Sequence, residues 1–180
     1  MYGLVNKAIE DLVIENFGRE KWEAVKKKSG VKVDFFVSNE PYEDNITYQL
    51  ALAVADETDI HIDKVMNIFG EYWVLKTGKE KYGGLMQAGG NNLKEFIINL
   101  PNFHNRILLI YPKLQPPEFK VDCIENNSLH LHYISQREGL QEFVRGLING
   151  LGKMYKTEVT IEMIQSRSTG ADHEIFKISW

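Results

Sequence analysis

Cysteine, long apolar runs and clustered positive charge are all scarce in this sequence. The single cysteine, Cys123, excludes an internal disulfide bond and any cysteine-rich zinc site. No apolar run approaches the roughly 20 residues that cross a bilayer. The N-terminal segment carries acidic residues and no long apolar core, unlike a signal peptide. We therefore expect no membrane association and a cytoplasmic location.

The balance of charge argues against a nucleic-acid partner. The chain has 21 lysines and arginines against 25 aspartates and glutamates, which gives a net charge of −4 at pH 7. Its most basic stretch, Lys26–Lys28, suits the end of a helix, and no basic stripe accompanies it. The length of 180 residues and the 43% hydrophobic content predict one globular domain over 1–180.

Common catalytic motifs are also missing. The glycine-rich stretch YGGLMQAGG, residues 82–90, lacks the Gly-Lys-Ser/Thr of a phosphate-binding loop and the glycine spacing of a dinucleotide-binding turn. The sequence has no His-Glu-x-x-His zinc motif and no Gly-x-Ser-x-Gly nucleophile motif. These absences favour a protein that is not an enzyme.

The first half of the chain predicts helices. Apolar residues recur there every three or four positions, and Gly78 is expected to end one helix. A loop-prone stretch around a short helical piece follows Gly78. The predicted helices span 2–17, a short segment around Trp22 and Val25, 46–55, 63–76, and 92–100, which leads to Pro101.

The second half of the chain changes to the alternation of β-strands. The predicted elements are strands over 116–124, 128–135, 157–165 and 174–180, with a helix over 139–155. The polar segment 166–173 is interpreted as a hairpin-type connection. The expected fold is α+β, with an N-terminal helical subdomain packed on a C-terminal four-stranded antiparallel sheet with helices.

Two histidines, His130 and His132, lie two residues apart and so share one face of the second predicted strand. Such a pair could bind a metal ion, but no third ligand lies near in sequence. Two partly exposed sheet histidines are the simpler interpretation. Cys123, in the first predicted strand, is interpreted as a packing residue, with a redox role as the alternative. His173, in a tight connection, is expected to make a structural hydrogen bond.

His104 differs from the other histidines because it stands in an apolar helical stripe. Leu100, Ile107 and Leu108 flank it at minus four, plus three and plus four. Taken alone, His104 is a core histidine bonded to a backbone carbonyl, or a ligand.

One face of the second predicted strand changes in polarity along its length, and this change favours the interpretation of His104 as a ligand. It runs from apolar through hydroxyl to cationic, over Leu129, Leu131, Tyr133, Ser135 and Arg137. A haem requires an apolar cavity, an axial histidine and an edge of this kind. The imidazole can ligate the iron, and the hydroxyl and guanidinium groups can bind the propionates.

Five segments, in this order, resemble the H-NOX family (haem nitric oxide/oxygen binding), a haem domain also found in animal soluble guanylate cyclase. They are MYGLVNKAIEDLVIENFG, MNIFGEYWV, LPNFHNRILLIYPKLQPPEF, HYISQREGL with its Tyr-x-Ser-x-Arg signature, and TGADHEIFKI. The resemblance runs along nearly the whole chain. It implies a haem b cofactor enclosed by the fold.

The resemblance implies a role for each matching position. His104 would be the proximal iron ligand. Tyr133, Ser135 and Arg137 would hold the propionates. Pro117 would press on the haem and distort it, although a proline there also suits the opening of a strand. The residues implied to lie in the distal pocket are Met1, Leu4, Val5, Trp73 and Phe143.

Gas preference in this family depends on a distal tyrosine whose hydroxyl bonds to bound O₂. Phe143 stands at that position and cannot donate, which implies binding of NO and CO and exclusion of O₂. The indole N–H of Trp73 is a competing donor, or the side chain simply fills space. Tyr2 and Tyr72 are further donors whose orientation the sequence leaves open.

The resemblance also implies a mechanism and a partner. NO would weaken and break the bond between His104 and iron, the haem would relax against Pro117, and the halves of the domain would shift. A partner must distinguish the two states. No cyclase or kinase segment fits in 180 residues, so we expect the stand-alone bacterial type, acting on a separate histidine kinase or cyclic-di-GMP enzyme. The alternatives are a haem enzyme (peroxidase or NO dioxygenase) and a haem-free module for an apolar ligand.

Overall fold

Helices make up the N-terminal half of the chain. The computed structural model describes residues 1–180. The helices are α1 (Gly3–Phe17), α2 (Arg19–Ser29), α3 (Asp44–Thr58), α4 (Ile62–Tyr72), α5 (Lys79–Gln87) and α6 (Leu93–Ile110). Val13, Trp22 and Leu50 are almost fully buried in the core that α1 to α4 enclose. No helix of the structure combines the length and the apolar character that a membrane crossing requires.

A π-helical segment, Trp73–Gly78, joins α4 to α5 without a break. The expected helix end at Gly78 is therefore wrong. The backbone of Gly78 is helical, and Val74 and Met86 are buried on either side of it. Tertiary packing overrides the weak helix propensity of one glycine. The wide turn brings Trp73 and Gly78 to the wall of an internal cavity, and π-helical turns are frequent at functional sites.

The helix α6 continues through Pro101 as one element of 18 residues. At its start the Asn92 side chain accepts a hydrogen bond from the backbone N–H of Glu95 at 2.9 Å. The Glu95 carboxylate in turn accepts one from the N–H of Asn91 at 2.8 Å, so the first turn is capped. Pro101 lacks an N–H and removes one internal bond. Deep burial of Ile97 offsets that loss.

The C-terminal half forms a four-stranded antiparallel sheet, and the predicted α+β class is confirmed. Its strands are β1 (Glu118–Asp122), β2 (Ser128–Ile134), β3 (Thr160–Gln165) and β4 (Glu174–Ser179), in the order β1-β2-β4-β3. The helix α7 (Gln141–Met154) connects β2 to β3. Leu129, Leu131 and Tyr133 of β2 are buried, as the alternation predicted.

The backbones of α4 and α7 lie in direct contact because glycines line the surface between the two helices. A Cβ on Gly70 would lie 2.1 Å from the carbonyl oxygen of Phe143, and one on Gly146 would lie 2.0 Å from the carbonyl oxygen of Asn67. Neither position has room for a side chain. The contact holds α7, which carries Phe143, against α4.

Candidate functional site

A largely apolar cavity of about 250 Å³ lies between the helices and the sheet. Its walls come from α1, the π-helical segment, α5, α6, α7, the inner faces of β1 and β2, and residues 111–117. Of its 29 lining residues, 23 are hydrophobic. A flat, apolar ligand with few polar groups suits such a wall.

His104 is the one histidine that lines this cavity. Its Nδ1 lies 3.1 Å from the carbonyl oxygen of Leu100. Because a carbonyl oxygen only accepts, Nδ1 carries the proton and Nε2 keeps a free lone pair. Burial lowers the pKa of His104 by more than the Leu100 hydrogen bond raises it. The imidazole is therefore neutral at physiological pH, which is the form that binds a metal ion.

Aromatic rings fix the orientation of this imidazole. The Phe119 ring centroid lies 5.2 Å from that of His104, and the Phe103 centroid lies 5.7 Å from it. A histidine that is bonded through Nδ1 to a backbone carbonyl and packed between rings resembles the usual support of a metal ligand. The donor atom, the apolar wall and the polar edge at Arg137 fit a haem.

Tyr133 and Arg137 line the cavity, whereas Ser135 does not. The strand β2 ends at Ile134, so the single face predicted from Leu129 to Arg137 is interrupted before Ser135. The Ser135 hydroxyl accepts a hydrogen bond from the backbone N–H of Arg137 at 3.0 Å. Ser135 thus shapes the turn that presents Arg137, and its predicted contact with a propionate stays a prediction.

The Arg137 guanidinium connects the two halves of the molecule. Its Nε donates to a carboxylate oxygen of Asp44 at 2.7 Å, and one terminal nitrogen donates to the carbonyl oxygen of Gln115 at 2.7 Å. Asp44 begins α3, in the helical subdomain. Burial alone would raise the pKa of Asp44, but hydrogen bonds from the Met1 amino group and Arg137 outweigh it, and the pKa lies below its usual value. An ionised Asp44 therefore holds Arg137 at the cavity rim.

A buried ion pair between Arg167 and Glu174 supports the same turn. Arg167 Nε lies 2.9 and 3.0 Å from the two carboxylate oxygens of Glu174. Its terminal nitrogens donate to the carbonyl oxygens of Ser135, at 2.9 Å, and of Arg137, at 2.8 Å. Arg167 thus positions the segment that carries Arg137. Residues 166–173 were predicted to be a hairpin-type connection, and no spacing along the chain pointed to this role.

All five residues predicted for the distal pocket line the cavity, as does Pro117. The Phe69 ring packs near Phe143, at 5.0 Å between centroids, and near Trp73, at 6.4 Å. Tyr2 also lines the cavity, but Tyr72 does not. Burial and a hydrogen bond to Glu15 raise the pKa of Tyr72, so its hydroxyl is engaged outside the cavity. The sequence left the orientation of Tyr72 open, and the structure places it outside the cavity wall.

Two further tyrosines in the wall, Tyr82 and Tyr111, were missed by the sequence analysis. Their rings lie 6.3 Å apart in an edge-to-face arrangement. Burial and a hydrogen bond to Tyr111 raise the pKa of Tyr82. Tyr82 was missed because the glycines around it suggested a loop, and α5 carries it to the wall instead.

The chain is similar to parts of larger animal proteins. The soluble guanylate cyclase gcy-31 of Caenorhabditis elegans is 28% identical over 180 residues, which cover 99% of this chain and 26% of that protein. Soluble guanylate cyclase 89Db of Drosophila melanogaster is 22% identical over 169 residues, covering 93% of this chain and 25% of that protein. The chain thus spans about a quarter of the length of these relatives.

Solved H-NOX structures share the fold over almost their full length. The Fe(II) unliganded H-NOX protein from K. algicida is 25% identical, with a TM-score of 0.83 and coverage of 99% of this chain and 96% of that one. The Fe(II)NO form of an H-NOX protein from S. oneidensis is 21% identical, with a TM-score of 0.89 and coverage of 99% and 98%.

The family profile described as Haem-NO-binding matches residues 2–163. That range includes His104, the turn at Arg137 and every residue of the cavity wall except Met1. The chain therefore belongs to the haem-NO-binding (H-NOX) family, whose domains are haem-based gas sensors.

Proposed function

We propose that this protein is a sensor of NO, and of CO, that excludes O₂ and catalyses no reaction itself. Residues 1–180 act as one domain that holds haem b, with His104 as the iron ligand. The observation that carries the proposal is the neutral, half-buried imidazole of His104, whose Nε2 is free, in a wall with 23 hydrophobic residues. His104 would hold the haem there, and the haem would supply a ferrous iron able to bind a diatomic gas.

The polar edge of the cavity binds the propionates in this proposal. Arg137 offers charge-assisted hydrogen bonds from N–H groups that Asp44 and Gln115 leave unused, and Tyr133 offers a buried hydroxyl. Ser135 contributes through the turn that it shapes. Pro117 lines the same cavity and would press on the macrocycle.

Phe143 carries the proposed selectivity because its side chain offers no hydrogen-bond donor. Bound O₂ draws negative charge, and a donor to a charged acceptor is worth about 1.5–3 kcal/mol. Its absence weakens O₂ binding by about 10- to 100-fold, while NO and CO need such a donor much less. The other donors in the wall are Trp73, Tyr2, Tyr82 and Tyr111, and each needs testing.

The signal in this proposal leaves through α6. The Nδ1–Leu100 hydrogen bond links the His104 ring to the backbone of α6. A movement of the ring when Nε2 gains or loses its ligand is therefore transmitted to α6. A shift of α6 and Pro117 changes the contact between the two halves at Arg137 and Asp44. A separate histidine kinase or cyclic-di-GMP enzyme reads this difference, since a partner responds only to states that it binds unequally.

The deciding experiment is the visible spectrum of the reduced, haem-loaded protein with O₂, CO and NO added in turn. We expect the spectrum to change with NO and CO and to stay unchanged with O₂. His104→Gly should lose haem unless imidazole is supplied. A stable O₂ complex would contradict the selectivity, and failure to take up haem would leave a module for an apolar ligand. Sustained turnover of peroxide would favour an enzyme.

Phe143→Tyr tests the source of the selectivity, and Phe143→Leu is its control because leucine changes the shape without adding a donor. We expect O₂ binding to appear in Phe143→Tyr alone. If Trp73→Phe instead changes the O₂ affinity of the native protein, the indole N–H is the relevant donor. Equal gains of O₂ binding in both Phe143 variants would show that space, not hydrogen bonding, sets the preference.

A further inference from the structure

The outer face of the sheet carries a second cluster of metal-ligating side chains, away from the cavity. His130 and His132 of β2 alternate with the buried Leu129 and Leu131, so they project from the opposite face. In the antiparallel register Asp122, the last residue of β1, is the partner of His130. The neighbouring strand thus supplies ligands that the spacing along the chain did not show.

Three side chains converge at this edge. The ligand atoms of Asp122, Cys123 and His130 all lie within 4.8 Å of one another. Cys123 follows β1, is exposed, and has a backbone φ of 46°, so its interpretation as a packing residue of the strand is wrong. That left-handed conformation is uncommon for a residue other than glycine, and such residues cluster at functional sites.

We propose that Asp122, Cys123 and His130 bind a zinc ion. One thiolate, one imidazole and one carboxylate form a mixed donor set of intermediate softness, which zinc accepts readily. Ligand atoms within 4.8 Å of one another can close around a single tetrahedral ion by small side-chain rotations. Binding breaks the S–H bond of Cys123, forms a zinc–sulfur bond, and releases the proton to solvent. A fourth position stays open to water.

A chain of hydrogen bonds orients the carboxylate ligand. His132 Nε2 lies 3.2 Å from one oxygen of Asp122, and its Nδ1 lies 2.9 Å from Nε2 of His173. Nδ1 of His173 lies 2.7 Å from Asp172. Both carboxylates accept only, so His132 Nε2 donates to Asp122 and His173 Nδ1 donates to Asp172.

The contact with His132 uses one oxygen of Asp122 and leaves the other for a metal ion. One oxygen stays with His132, and the other faces His130 at 3.6 Å from its Nδ1. A bonded partner behind a ligating carboxylate is the usual support of a metal site.

The test uses the haem-loaded chain and counts zinc and iron separately by elemental analysis. The protein is exposed to zinc, and loosely held metal is then removed with a weak chelator. We expect one zinc per chain. X-ray absorption at the zinc edge should show a single sulfur neighbour at about 2.3 Å and lighter neighbours at about 2.0–2.1 Å. The sulfur must come from Cys123, the only cysteine.

The variants Cys123→Ser and His130→Ala should each weaken zinc binding by at least about tenfold, and His132→Ala by about 10- to 100-fold. The matched control is His61→Ala, which removes an exposed histidine that also faces an aspartate, Asp63, at 3.4 Å. It should bind zinc like the native chain.

Three results would overturn the proposal: no retained zinc in the native chain, a zinc spectrum without sulfur, or equal zinc in the native chain and the Cys123→Ser/His130→Ala double variant. The X-ray absorption spectrum of the native chain shows whether sulfur binds the zinc, even if a variant does not fold. Iron content should not change in any of these variants. A failure of the haem proposal would therefore appear as a low iron content, and a failure of the zinc proposal would appear as a low zinc content.

Discussion

Replacing Arg167 should weaken both the fold and the hold on haem. Arg167→Met removes the bonds to the Glu174 carboxylate and to the carbonyl oxygens of Ser135 and Arg137. Glu174 is only 3% exposed and would keep a buried charge without a partner. Loss of one member of a buried pair costs about 3–5 kcal/mol. The Arg167 side chain is 20% exposed, so we expect a value near the lower end, about 3 kcal/mol.

The assay is urea unfolding of the haem-loaded protein, followed by far-ultraviolet circular dichroism. Four proteins are compared: the native chain, Arg167→Met, Glu174→Gln and the double variant. The double variant should regain much of the stability that Arg167→Met loses, because the unpaired charge is gone. Its remaining deficit comes from the carbonyl oxygens of Ser135 and Arg137, each worth about 0.5–1.5 kcal/mol.

Haem transfer to an acceptor protein separates the positioning role of Arg167 from general stability. Arg167→Lys keeps a positive charge beside Glu174 but cannot bridge both carbonyl oxygens, since lysine lacks the planar fork of arginine. We therefore expect faster haem loss from Arg167→Lys with a smaller loss of stability than in Arg167→Met. The reasoning is refuted if Arg167→Met loses less than about 1 kcal/mol, or if the two single effects add without coupling.

Two further predictions concern a titrating group and a close backbone contact. The pKa of Asp44 is lowered in the fold, so Asp44 stabilises the protein above its unfolded pKa of about 3.9, and this stability is lost as the pH falls through the lower folded value. Asp44→Asn should be less stable than the native chain at pH 7, with a gap in urea midpoint that narrows in acid; a gap independent of pH would contradict this. Gly146→Ala places a Cβ against the Asn67 carbonyl oxygen and should lose at least about 1–3 kcal/mol in thermal unfolding. Gly83→Ala, whose Cβ would meet nothing within 4 Å, is the control, and equal behaviour of the two variants would show that the contact can relax.

Periodicity was enough to predict the fold class. The helix and strand segments of this chain carry regular apolar spacing, and the structure places an element at each of them. The errors fall where one local residue gives the signal. Gly78 and Pro101 are helix breakers by propensity, but buried neighbours such as Val74 and Ile97 keep the chain helical there.

The candidate site was predictable only where residues of one segment act together. His104 stands out from its own helical stripe, and Tyr133 from its own strand. The role of Arg167 could not be predicted from the sequence. Its partners, Glu174 and the carbonyl oxygens of another turn, contact it only in the folded sheet. The grouping of Asp122 and Cys123 with His130 has the same cause, since strand register creates it.

The backbone contact between α4 and α7 bears on how gas preference can change during evolution. At Gly70 the approaching atom of residue 143 is its carbonyl oxygen, which every amino acid possesses. The side chain of Phe143 lines the cavity and packs against Phe69 of α4, but the backbone approach at Gly70 does not depend on it. If residue 143 sets the gas preference, as proposed, a single codon change there alters the preference while the backbone approach of the two helices is kept, so sensors of different selectivity can diverge without passing through an unfolded ancestor.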